Sequence, residues 1–508
     1  MAKRTAIIDI GSNSGRLVIF EKTSRYGFHL ICEQKSKVRI GEGAYEKEGY
    51  LQPIGIKRAF LTLQSFLHTI EKYQAHKTLC VATSALRDAP NGKLFVKWIK
   101  KELGLSIKII DGKEEAAYGA IAAKNLLPVD HGITIDIGGG SSDMALIENG
   151  NIVDTHSLNL GTVRLKELFF DKEMPIKEIN RQANAYIQKE LESLPEHFKG
   201  TLAIGIGGTA RTLSKGIMKR CAHPLDKLHA FTYKVDDFSD YMQAIPLSSA
   251  KNLKKFDLKK NRYDTIREGT LIFNEILSHI GATSVTTSSV GVREGVFLKQ
   301  LLKQDNLRFP NHTNPSITSI LDRFKPFINI EAKKKNKLKI ATALYSEMQI
   351  EIEDKEQYRS ELLWALKLST IGKTLTIYKS HQHAFYIAMQ ELNYGFTHEQ
   401  IILISFLLRM HGKEILHKPL FQGFKPLLPE RDKLLWLSFV YTLTVYLHEA
   451  SNSAKIDFSY KNKTLHITSD KPLYLAKEKI KALEKPVSFA IIIEDESTLP
   501  KCKRLGIS

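Results

Sequence analysis

The stretch "TIDIGGGSSDMALI", residues 134–147, reads as a β-strand that breaks into three consecutive glycines, two serines and an aspartate before a second strand resumes. Glycine lacks a Cβ, so it accepts positive φ and lets another group approach the main-chain N–H groups, at a cost in conformational entropy. Two physical roles suit such a turn. One is a tight hairpin, which needs one or two glycines; the other is an anion cradle in which successive N–H groups converge on phosphate oxygens. The stretch is not G-x-x-x-x-G-K-S/T and no helix opens directly after the glycines, so neither the P-loop nor the dinucleotide fingerprint applies. Taken alone, the turn and its two acids, Asp136 and Asp143, leave both roles open.

The pattern recurs at the start of the chain. "AIIDIGSNSGRLVIF" (residues 6–20) repeats strand, aspartate, glycine, hydroxyl residues and strand, and a third glycine turn, "LAIGIGGTARTL" (202–213), runs from an apolar strand into a helical pattern. Two acidic glycine hairpins followed by a G-x-G-G-T loop resemble the phosphate-binding loops of the superfold shared by acetate and sugar kinases, Hsp70 and actin. Six stretches in order narrow the resemblance to the Ppx/GppA family of exopolyphosphatases and guanosine pentaphosphate phosphohydrolases: "DIGSNSGRL" (9–17), "VATSALRDAPNG" (81–92), "IIDGKEEAAYGA" (109–120), "IDIGGGSSD" (135–143), "GIGGTARTL" (205–213) and "SSVGVREGV" (288–296). The resemblance implies an α/β fold of two ribonuclease-H-like domains, plus a mainly helical HD-like C-terminal domain ending in a small β region. Asp143 departs from the family, which usually shows Glu there, and the acid's reach is shorter by one methylene.

The bulk properties agree with such a protein. A chain of 508 residues exceeds a single core, and 43% hydrophobic with 25% charged residues describes a globular chain. A net charge of +19 implies attraction to polyanions. Cys32, Cys80, Cys221 and Cys502 form no C-x-x-C, so neither a zinc site nor a disulfide framework is expected, which fits a reducing cytoplasm. Asp9, Gly11, Asn13 and Arg16 interrupt the N-terminal apolar stretch, which excludes a signal-peptide core. The run "LLWLSFVYTLTVYL" (434–447) is short for ~30 Å of hydrocarbon and reads as a buried helix.

Strands alternate with helical patterns over residues 1–125, the expected first ribonuclease-H-like domain; the second spans 126–305. "DNLRFPNHTNPS" (305–316) reads as a linker. The region 306–508 holds long amphipathic helices, then "KIDFSYKNKTLHITS" and "VSFAIIIEDE", which read as a hairpin and a strand. The lysine cluster "EAKKKNKLK" (331–339) reads as a solvated face.

Hydrolysis of a phosphoanhydride needs a water in line with phosphorus, neutralised oxygen charge and a group to orient or deprotonate the water. Backbone N–H groups at Gly138, Gly139, Gly140 and Ser141, and at Gly207, Gly208 and Thr209, suit phosphate oxygens, and Ser12 and Asn13 occupy the equivalent first turn. Asp9, Asp136 and Asp143 suit a Mg²⁺ ion that keeps several of its waters; alternatively Asp136 caps its own turn. Glu114 and Glu115 open a helix, where acids are ordinarily dipole-favourable and nothing more. The resemblance assigns Glu115 as the group that activates water and leaves Glu114 structural. Arg16 and Arg87 suit bidentate phosphate contact or domain-closing ion pairs; Arg267 and Arg293 are weaker candidates, Arg293 with a salt bridge at least as expected.

In the C-terminal region, His381, His383 and His411 lie where long family members carry an HD-type domain, but Ser369 and Thr370 stand where the His-Asp pair would sit. No second metal centre is expected. The implied activity is Mg²⁺-dependent release of terminal phosphate from inorganic polyphosphate, guanosine pentaphosphate or both, with no specific nucleic acid or membrane partner. Long family members are often dimers, and by analogy a homodimer is admissible here. The alternatives are an ATP-using kinase of the same superfold and a non-catalytic regulator that binds polyphosphate or alarmone.

Overall fold

The computed structural model describes residues 3–44, 47–325, 334–352, 357–411 and 418–495. Two compact units emerge, one of residues 1–319 with 394–397, the other of 320–393 with 398–508.

The first unit is built on two sheets of one plan. Strands β1 (Lys3–Ile10), β2 (Gly15–Lys22), β3 (Phe28–Ser36), β4 (Lys77–Ala82) and β5 (Ile107–Ile109) make a sheet of order β3-β2-β1-β4-β5. Strands β6 (Gly132–Ile137), β7 (Ser142–Glu148), β8 (Asn151–Leu158), β9 (Leu202–Ile206), β10 (Thr232–Lys234) and β11 (Ser284–Thr287) make the second, of order β10-β11-β9-β6-β7-β8. In each, an antiparallel hairpin leads and its first strand then pairs in parallel with a later one, β1 with β4 and β6 with β9. The duplication expected from the two acidic glycine turns is thus present in the topology.

Alternation along β1 and β6 decides where their acids emerge. Ile8 and Ile10 enter one core with the helices Pro53–Lys72 and Gly92–Leu103, while Ile7 and, by the two-residue period, Asp9 face the opposite side. Ile133, Ile135 and Ile137 enter the core of the second lobe, which turns Asp136 the other way. Both acids therefore face the helix Gly112–Leu126. That helix is apolar nearly all round: Tyr118, Ile121 and Ala122 belong to the first lobe's cluster, Ala116, Ala120 and Ala123 to the second's. A helix hydrophobic on all sides is a buried one. The helix Val292–Leu301 lies against it so closely that a Cβ on Gly295 would sit 1.9 Å from the Tyr118 carbonyl oxygen.

The second unit holds the helices Lys334–Ile352, Arg359–Leu368, Ser380–Glu391, His398–Arg409 and Arg431–Ala450. A three-stranded sheet follows, β12 (Ile456–Lys461), β13 (Thr464–Ser469) and β14 (Ala490–Asp495), with β14 parallel to β13. The run 434–447 lies inside a helix whose Leu434, Leu437, Phe439 and Leu443 are buried; among the described residues no helix is long and apolar enough to cross a membrane. Ser369, at a position expected for the HD pair, accepts a hydrogen bond from the buried ammonium of Lys337 at 2.9 Å. Burial pushes His411 down to about 4. Part of the lysine cluster (331–333), the end of "RMHGK" (412–413) and Cys502 lie outside the described residues. Cys32, Cys80 and Cys221 are free thiols.

Candidate active site

A cavity of about 140 Å³ opens where the ends of β1 and β6 approach the first turn of the helix Gly112–Leu126. Asp9, Ser12, Asn13, Arg16, Glu115, Asp136, Gly138, Gly139, Gly207 and Gly208 all line it, so most of the residues singled out in the sequence meet here. The two hairpin turns share one geometry. Gly11 donates its N–H to the Ser14 carbonyl at 3.1 Å and Gly138 donates to the Ser141 carbonyl at 2.9 Å. Gly138 is therefore occupied in closing its own turn. The amides of Ser12, Asn13, Gly139 and Gly140 are left by each turn for an outside acceptor.

The turns also touch each other. A Cβ on Gly139 would lie 2.7 Å from the Ser12 Cβ, so only glycine fits there. Gly207 opens the helix Gly207–Arg220 at φ +78°, and a Cβ on it would meet the Asp136 Oδ1 at 2.2 Å. That close approach sets Asp136 beside a helix N-terminus, where the first amides lack intrahelical acceptors.

Glu115 is 12% exposed, with the Arg87 Nη1 3.5 Å from its Oε2. Burial raises its pKa well above 4.5, and the neighbouring Asp143, Asp136 and Asp9 push the same way against Arg87. Burial likewise raises Asp9 and Asp136, opposed by Arg16 and Arg293 for both and by Arg211 for Asp136. Glu114 differs in kind: despite burial, which raises it, the Lys108 ammonium at 2.5 Å, the Tyr118 hydroxyl at 2.9 Å and the nearby Lys299 hold it below the usual range.

Other expected residues sit apart from the cavity wall. Asp143 is buried, its Oδ1 receiving the Ser157 hydroxyl at 2.6 Å and its Oδ2 the Ser141 hydroxyl at 3.2 Å. Ser141 thus spends its side chain on Asp143, and Gly140 gives its carbonyl to the Arg164 Nε at 2.9 Å. Thr209 is fully buried against Gly269 and is not part of the cavity wall. Arg87 leans on Glu115 and Asp88. Arg293 bonds Glu33 at 2.8 Å, the salt bridge the sequence anticipated as an alternative, yet it also lines the cavity. Arg267 stacks over Phe170, away from it.

Sequence reading missed two cations. Arg211 holds the Ser288 carbonyl at 2.9 Å and burial, with Arg16 and Arg293, pushes its pKa to about 10. It stands four residues after Gly207, hence on the same helix face, a signal the sequence contained. Arg262 comes from a 3₁₀ turn at Lys260–Arg262 and lies against Gly208; only tertiary folding delivers it.

The donor set suits a hard divalent ion: desolvated carboxylates that repel one another gain from a cation. Among the described residues no three acidic, imidazole or thiol groups converge on one point. An ion here would use one or two carboxylates, with Asp9 and Asp136 the best placed, and keep its own waters, as Mg²⁺ does.

A model of the Ppx/GppA phosphatase family matches residues 18–304, and one of the family's domain III matches 316–484. This chain belongs to the Ppx/GppA phosphatase family. Among curated relatives, a bifunctional 3-dehydroquinate synthase/phosphatase of Fusobacterium nucleatum is 31% identical over 56% of this chain but only 44% of its own length. The chain therefore spans less than half of that protein. A guanosine-5'-triphosphate,3'-diphosphate pyrophosphatase of Photobacterium profundum is 24% identical over 82% of this chain and 81% of its own. Exopolyphosphatase 2 of Mycobacterium tuberculosis is 26% identical over 58% and 98%. The solved Ppx/GppA member of Aquifex aeolicus superposes with a TM-score of 0.52 at 26% identity, over 60% of this chain and 99% of that one. These neighbours establish the actin-like fold of the Ppx/GppA lobes.

Proposed function

We propose that this family member is a Mg²⁺-dependent phosphoanhydride hydrolase that releases terminal orthophosphate from inorganic polyphosphate, from guanosine pentaphosphate or from both. The observation that carries the reading is Glu115. It is a carboxylate with a raised pKa, set in a cavity walled by unoccupied turn amides and by Arg16, Arg211, Arg262 and Arg293. A general base works best with a pKa near the operating pH.

The amides of Ser12, Asn13 and Gly139 hold oxygens of the terminal phosphate, and the arginines take the charge that spreads onto oxygen during transfer. Glu115 accepts a proton from the attacking water as the water oxygen bonds to phosphorus. The bridging P–O bond breaks and its electron pair stays on the shortened chain. A bound Mg²⁺ ion would supply further charge neutralisation beside Asp9 and Asp136. Both kinds of relative named above support the two substrates, and neither is favoured by the loops themselves.

The test is phosphate release from each substrate by the wild type and by Glu115→Gln, with and without Mg²⁺. Turnover lost in the variant and in the metal-free enzyme is expected. Phosphotransfer from ATP to an acceptor would replace this reading by the kinase, and tight binding of either substrate without turnover would replace it by a sensor.

A further inference from the structure

The cavity has two flanks of opposite charge. On one, Asp9 of β1 stands opposite Arg16 of β2, and Arg16 stands opposite Lys35 of β3. Opposed residues of antiparallel strands project from the same face, and strands lie about 4.8 Å apart. An acid and two cations thus form a row that starts at the cavity and ends on β3, an edge strand. Lys35 is exposed and makes no ion pair among the described residues, whereas its neighbour Lys37 lies 3.9 Å from Asp264. Partial burial, and then the cations Arg16, Arg262, Lys37 and Arg211 around it, push its pKa down to about 8. The nearest acid on its own strand face, Glu33, is already held by Arg293 at 2.8 Å. Arg262 adds a buried Nε with no hydrogen-bond partner. Arg16 has Asp9 beside it and Lys37 and Arg262 have Asp264, but Lys35 has no carboxylate of its own among the described residues, so a bound polyanion relieves the repulsion it meets there.

The other flank is a hollow of about 290 Å³ that shares Ser12 and Asn13 with the cavity. Its charged lining is Glu42, Glu167, Asp171 and Asp264 against Arg39 and Lys166, an excess of carboxylates. Arg39 is committed to Glu42 at 3.3 Å and Asp264 at 3.0 Å, and Lys166 to Asp171. A chain of phosphates gains nothing on that side.

We infer that the phosphates following the terminal one leave the cavity along Arg16 and Lys35 and over the β3 edge, so that Lys35 is a specificity-determining residue for long polyphosphate. This rests on the hydrolase reading for its substrate class, but not for its direction, which follows from the charge of the two flanks. A short substrate ends before the row does; a long one continues across it.

Two measurements test it. Equilibrium binding of long-chain polyphosphate and of tripolyphosphate is compared in the Glu115→Gln protein with and without Lys35→Ala or Lys35→Glu, and the same Lys35 variants are assayed for hydrolysis on the active background. Lys35→Ala should weaken long-chain binding on the order of fivefold, the scale of an exposed charge-assisted contact, and Lys35→Glu should weaken it more. The loss on tripolyphosphate should be smaller, and the slope of log Kd against log salt for the long chain should shrink by about one. Asp171→Asn, in the carboxylate-lined hollow, should leave the ratio of long-chain to short-chain affinity as it was. Equal losses on both lengths, no loss on either, or a long-chain gain confined to Asp171→Asn would overturn the assignment. A wild type that releases no phosphate from polyphosphate sinks the hydrolase reading instead, and the binding arm still decides the role of Lys35.

Discussion

Replacing Glu115 by Gln keeps the shape of the side chain and one hydrogen-bonding oxygen but removes the ability to take a proton. General-base assistance contributes about 10²- to 10⁴-fold, so kcat should fall by that order, about 2.7–5.4 kcal/mol of barrier. Substrate binding should persist, because the turn amides and arginines are untouched and one negative charge leaves a cavity that also holds Asp9 and Asp136. The pH behaviour has a definite sign. Burial and the acids around it raise the folded-state pKa of Glu115 above its ordinary 4.5. In the wild type kcat/KM should therefore fall as pH drops through a value above the usual carboxylate range. For stability, a raised folded-state pKa means the folded protein holds this proton more tightly. That contribution is complete below the unfolded pKa and is lost as pH rises through the folded one. Glu115→Gln should accordingly raise the thermal midpoint relative to wild type near pH 8, with the difference closing toward pH 4. Phosphate release, a pH–rate profile and thermal melts at both pH values read all of this. Glu114→Gln is the paired control and should retain most activity, since its partners are Lys108, Tyr118 and Lys299. An inactive Glu114→Gln beside a normal Glu115→Gln would move the base by one residue; activity in both would refute the chemistry.

Asp143→Asn should shift the acid limb of the pH–rate profile downward, because Asp143 is the first acid raising Glu115 after burial itself; an unmoved limb would show that the two carboxylates do not sense each other. Gly207→Ala should cost roughly 1–2 kcal/mol for a side chain in left-handed backbone, and should also depress kcat because its methyl displaces Asp136; wild-type melting and turnover would contradict this. Gly295→Ala should cost roughly 1–3 kcal/mol by overpacking and lower kcat through the helix that carries Glu115, read by melting and by turnover at saturating substrate.

What the sequence disclosed and what it withheld follow from how each residue reaches the site. Asp9, Ser12, Asn13, Asp136, Gly138 and Gly139 stand in turns whose shape is local, so glycine spacing and strand alternation located them. The amide tally was not legible, since Gly138 closing on Ser141 is visible only in three dimensions. From its neighbourhood Arg87 suits either phosphate contact or an ion pair, and which carboxylates it meets, Glu115 and Asp88, is visible only in the fold. Thr209 belongs to the right loop, but helical geometry turns its side chain into the core. Arg262 had no local signature at all, because its place depends on a 3₁₀ turn meeting Gly208 from a distant part of the chain.

The helix that carries Glu115 gives Ala116, Ala120 and Ala123 to one core and Tyr118, Ile121 and Ala122 to another. Such an element has no lobe of its own. Were the two sheets to swing apart like a jaw, it would have to strip itself from one apolar bed and present bare Ala and Ile to water. The penalty for that opening grows with every methyl exposed. Gape is therefore an expensive coordinate for this molecule.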